Sequence, residues 1–208
     1  MLLTIAAVMG VAPCLAVAAV ASIEPPLHGP APYSLLVTEC DRQAAHPEDP
    51  DKVAPGRERP DLDLEAAIAA CRADLQKDPA NPRLLYQLAR VLTYSGRIEE
   101  ALPPLEQAVR LRYRQAIFVA GYIYLDGTLK APKDPCRAGE LIRESALRGR
   151  MAGEIGFPAW VLEGRFKACA VKQDRAEMIG FLESARARKP GYYPGLLIDT
   201  LLRELNTP

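Results

Sequence analysis

The sequence predicts an all-α chain, a short right-handed solenoid of helix-turn-helix repeats finished by a C-terminal capping helix, and three observations carry that reading. From residue 63 onward, apolar residues recur at three- and four-residue spacing, the period of an amphipathic helix. The pattern is cut into pieces by Asn-Pro, Asp-Pro and Gly signals that start and stop helices. It then repeats after about 34 to 36 residues, one supersecondary unit per period. No segment shows the two-residue alternation of a strand.

The chain has 208 residues, 26 basic and 26 acidic side chains, and 49% apolar residues, enough for one core or a short stack of units. A balanced charge leaves no footprint for nucleic acid, and the local run Arg110 to Arg114 reads as a solvated helix end. Residues 2–23 carry no charge and are rich in Ala, Val and Leu. They read as an export leader, with Ala19-Val20-Ala21 as the cleavage site and Ser22 as the first mature residue. Uncleaved, the same run becomes the chain's one membrane anchor. Cys14 follows Pro13, an unsuitable setting for lipid attachment. The expected domains are thus a signal peptide over 1–21, a Pro-rich segment over 22–62 with one short helix, and a helical repeat domain over 63–205. The expected compartment is the periplasm or the exterior.

Eight prolines between Glu24 and Pro60 make this stretch a connector. Within it, Leu36, Val37, Cys40 and Ala44 suit the short helix. Asp63 is placed to cap the next helix, whose inner face is Ala67, Ile68, Cys71 and Leu75, and Asp78-Pro79 ends it. Were these two helices a hairpin, Cys40 and Cys71 would face each other. Exported cysteines in even number favour disulfides, with free buried thiols as the alternative.

Asn81 and Pro82 open a helix carrying Leu85, Leu88, Ala89 and Leu92, Gly96 ends it, and Ala101, Leu105 and Ala108 line its partner. Residues 81–114, on these positions, resemble a tetratricopeptide repeat, with Tyr113 standing where that family often has Pro. Residues 115–150 resemble the related Sel-one-like repeat at Ala116, Gly121, Tyr124, Gly127, Asp134, Ala138, Ala146 and Gly149. Gly121 is read as a point of close helix contact. Residues 151–188 form a worn copy in which Ala152 and Trp160 repeat Ala116 and Tyr124, and Pro158 predicts a kink or late start. Displacing Cys136 by the same period lands beside Cys169, so stacked repeats could join these two. A helix over 192–205, with Leu196, Leu197, Thr200, Leu201 and Leu205 on one side, is expected to cap the array.

Chemistry for catalysis is absent from the pattern. His28 and His46 both sit in Pro-rich sequence, and no phosphate loop, nucleophile elbow or metal-ligand spacing occurs, so neither a cofactor nor a metal is expected. His46 to Asp49 reads as a solvated turn, and Asp49-Pro50-Asp51 as turn formers. The family resemblance implies binding through the concave face made by each repeat's first helix. On that face the expected groove residues are Arg83, Tyr86, Arg90, Thr93, Phe118, Tyr122 and Trp160, with Leu125 and Phe157 beside them. Two arginines among aromatics suit an extended protein or peptide segment bearing a carboxylate. The resemblance implies a non-enzymatic interaction or regulatory adaptor of a bacterial envelope. Its rivals are a cell-wall-active protein binding β-lactams or peptidoglycan, for which no Ser-x-x-Lys setting is found, and one end of a larger repeat assembly.

Overall fold

The computed structural model describes residues 32–207, which fold into nine α-helices and one 3-10 turn, with no strand among them. The leader, Cys14 and His28 lie outside the described residues. The helices are α1 (Glu39–Ala44), α2 (Leu64–Lys77), α3 (Pro82–Tyr94), α4 (Ile98–Arg110), α5 (Arg114–Asp126), α6 (Pro135–Leu147), α7 (Met151–Leu162), α8 (Arg175–Ala187) and α9 (Tyr192–Asn206). Each packs chiefly on its neighbours in sequence, while α1 also touches α3 and α7 touches α9.

Local chemistry sets the boundaries. Asp63, Asn81, Asp134 and Asp174 each accept backbone N–H donors at the start of α2, α3, α6 and α8, and Pro82 and Pro135 occupy first-turn positions. Pro103 and Pro104 lie inside α4, and α7 starts at Met151 and runs through Pro158, so there is no late start at this helix. The short helix is shorter than the apolar pattern implied. Thr38 caps it reciprocally with Asp41, which leaves Leu36 and Val37 ahead of it and exposed.

α3 is buried around nearly its whole circumference. Leu84, Leu88 and Val91 join a cluster with Cys40, Ile68 and Cys71, while Leu85, Tyr86 and Ala89 join the larger core that runs on to α9. Close packing explains the small residue at Gly121: a Cβ there would lie 2.6 Å from Ile142 Cγ1, so α5 and α6 could not keep this approach with any larger side chain. Disulfides join Cys40 to Cys71 and Cys136 to Cys169, with Cα separations of 4.4 and 5.0 Å. The first ties α1 to α2; the second ties the first turn of α6 to the turn after α7. Both pairs are those the sequence pattern suggested, and both fit an oxidising compartment.

The final helix corrects the expected stripe. Ile198, Leu201, Leu202 and Leu205 are buried, whereas Leu196 and Leu197 are exposed. Spacing of three, four and seven residues holds for both sets over part of their length, and the packed neighbours decide between them.

Candidate binding face

The two arginines expected to await a partner are occupied by the chain itself. Arg83, at the start of α3, is fully buried; its Nε and Nη2 donate to the two carboxylate oxygens of Asp41 at 2.7 and 3.1 Å. Its Nη1 donates to the Ser34 carbonyl at 2.9 Å, and Nη2 also reaches the Leu36 carbonyl at 3.2 Å. Burial by itself would raise the Asp41 pKa, but donors from Arg83, the Thr38 backbone and Gln87 outweigh it and hold the carboxyl below its usual range. Arg90, two turns further along, donates through Nη1 to the carbonyls of Ala44 and Ala45, each at 3.0 Å, and through Nη2 to that of Arg57 at 2.6 Å. What these arginines hold is the chain's own residues 34–57: the Asp41 carboxylate and Ala44 carbonyl of α1, and the non-helical backbone at Ser34, Leu36, Ala45 and Arg57.

This strap is anchored again beyond α3. The Tyr113 hydroxyl donates to buried Asp49 at 2.7 Å, and Arg114 grips Asp51 with two bonds of 2.6 and 2.8 Å. Burial raises the Asp49 pKa despite the Tyr113 hydrogen bond that favours its charge. Tyr33 and Tyr86 pack on the Tyr113 ring at centroid distances of 6.2 and 5.8 Å. The acidic pair therefore does more than form a turn. Where the strap doubles back, Gly56 presses on Pro47 so closely that an added Cβ would meet the Pro47 Cα at 2.3 Å. His46, expected to be solvated, is instead partly buried beside Arg90. Its Nδ1 accepts the Glu48 backbone N–H at 2.9 Å. Burial, reinforced by Arg90, Arg150 and Lys52, lowers its pKa to about 4, so at neutral pH the ring is uncharged and Nε2 carries the proton.

Two adjoining clefts remain open on this side of the molecule. One, of about 530 Å³, is bounded by His46 of the strap, by Tyr86, Arg90 and Thr93 of α3, and by Tyr122 of α5. The second, of about 570 Å³, takes Phe118 and Tyr122 from α5, Trp160 from α7 and Tyr193 and Leu197 from α9, and no charged side chain lines it. Tyr122 belongs to both and is half exposed, its ring 6.3 Å from that of Trp160. Of the expected groove residues, Arg83 alone lines neither cleft; Tyr86 is buried in a wall, its hydroxyl accepting from Gln115 at 3.2 Å. Leu125 and Phe157 are buried in the core.

Sequence reasoning missed His46, Tyr193 and Leu197. The last two stand on the α9 face opposite Ile198 and Leu202, a face visible in the helical spacing once the other is assigned to the core. Nothing local in the sequence announces that His46 folds back onto α3. Among the described residues, no group of His, Cys, Asp and Glu is placed to hold a metal ion, and no helix is long and apolar enough to cross a membrane. No family model, curated protein or solved structure matches the chain.

Proposed function

We propose that this chain is a non-enzymatic binding module, a short solenoid of tetratricopeptide and Sel-one-like repeats closed by α9, that works outside the cytoplasm of a bacterium. The reading rests on one observation above the others: the uncharged cleft that gathers aromatic side chains from α5, α7 and α9, with Tyr122 and Tyr193 exposed. Tyr122 is 50% exposed and Tyr193 is 80% exposed, and such residues at the centre of a concave patch are the usual anchors of a protein interface. Arg83 and Arg90 take no part in that interface, because Arg83 and the Nη atoms of Arg90 already hold the strap. The partner is a protein segment presenting apolar side chains, and the two disulfides suit an exported chain.

The test is co-purification from cells expressing the secreted protein, comparing wild type with the Trp160→Ala/Tyr193→Ala variant. Loss of one defined protein from the variant, at unchanged melting temperature, is the supporting result. An identical set of co-purified proteins for both would refute the cleft as the docking site.

A further inference from the structure

We infer that the first cleft is a site for a small organic acid, a free carboxylate carrying an aromatic or branched apolar body, independent of the protein-docking cleft beside it. Its volume, about 530 Å³, falls in the range of small-ligand sites, and it has walls on several sides. Ala89, Leu105, Val119, Ile123 and Leu129 make most of its surface apolar, with Tyr86, Tyr94 and Tyr122 offering aromatic faces. The lining also carries polar groups: His46 from the strap, Arg90 and Thr93 from α3, and Thr128 beyond the end of α5.

Those polar groups select the ligand's charge. Arg90 is nine-tenths buried, and although its Nη atoms hold the strap, its buried Nε has no hydrogen-bond partner. The Arg90 charge is met by three backbone carbonyls and by no carboxylate among the described residues, so an anion in the cleft would complement it. With its Nδ1 already accepting from Glu48, His46 offers Nε2–H as a second donor. Arg150 and Lys52 stand close enough to repel a proton from His46, and no aspartate or glutamate lines the cleft. Asp49, buried behind Tyr86, is held by Tyr113. A single carboxylate among these donors, with its apolar body against α5, matches what the walls present.

Titration calorimetry on the oxidised protein tests this with 3-phenylpropionate, its primary amide, and a short peptide ending in phenylalanine. The acid is expected to bind saturably at one site and the amide at least about tenfold more weakly, because the charge-assisted hydrogen bonds are lost. Val119→Trp and, separately, Thr128→Trp fill the cleft from positions outside the strap and are expected to abolish binding at unchanged melting temperature. The inference fails if the acid does not bind, if the amide binds equally, if either filled variant that keeps its melting temperature still binds, or if the peptide alone binds. Each of these outcomes leaves the Trp160 and Tyr193 test of the neighbouring cleft untouched.

Discussion

One face of this molecule is finished in two different ways. Over α3 and the start of α5 it is closed by the chain's own strap, through a fully buried Arg83–Asp41 pair, Arg90 on three carbonyls and Tyr113 on Asp49. Over α5, α7 and α9 it is open, uncharged and aromatic. The contrast teaches that a basic residue expected to meet a partner can be satisfied by its own chain instead. Charge at such a position tells that carboxylate and carbonyl acceptors meet it, without saying whose they are.

The comparison is broken most severely by Arg83→Ala. It would strand the Asp41 carboxylate in a buried site and free two strap carbonyls, so the expected destabilisation is about 3 to 5 kcal/mol, read by denaturant unfolding. Replacing both partners by Arg83→Met with Asp41→Leu is expected to cost clearly less than Arg83→Ala, because no lone buried charge remains. Equal losses would mean that the pair itself contributes little and that the damage lies in packing.

A smaller effect separates the halves by pH. The folded-state pKa of His46 is depressed to about 4 from an ordinary 6.5, so the unfolded chain binds the extra proton first. Its contribution is present above pH 6.5 and is lost as the pH falls towards 4. Asp49, with a raised pKa, titrates in the opposite sense: protonation relieves the folded state as acid is added. The difference in melting temperature between wild type and His46→Gln is therefore expected to shrink or reverse on acidification across that window. A difference independent of pH would show that the His46 proton is not coupled to folding. The smallest expected change in stability is Tyr193→Ala in the open cleft, within about 0.5 kcal/mol as for other exposed side chains.

The helices were legible because their signals are local. Asp63 and Asn81 start the helices they were expected to start, and Gly121 sits where two helices meet. Phe118, Tyr122 and Trp160 could be placed on one face by adding periods along the chain, and the structure brings them to one cleft. The strap was illegible for the opposite reason. Its contacts join Asp41 to Arg83 and Asp49 to Tyr113, across separations of 42 and 64 residues, and its prolines suppress any periodicity that could reveal a buried side. The packed face of α9 failed more narrowly, since Leu197 and Ile198 are adjacent and only the neighbouring helices choose between them.

The Cys40–Cys71 disulfide gives the strap an unusual relation to proteases. Any backbone cut between those two cysteines, for example after exposed Arg57, yields two polypeptides that remain one covalent molecule. The severed piece stays beside its arginines at the millimolar effective concentration of a short tether, so nicking loosens one end without discarding it. Reduction without nicking leaves the strap attached through the main chain. Release of the piece bearing Asp41 therefore requires two unrelated events, a hydrolysed peptide bond and a reduced disulfide, and neither alone uncovers Arg83 for a competitor.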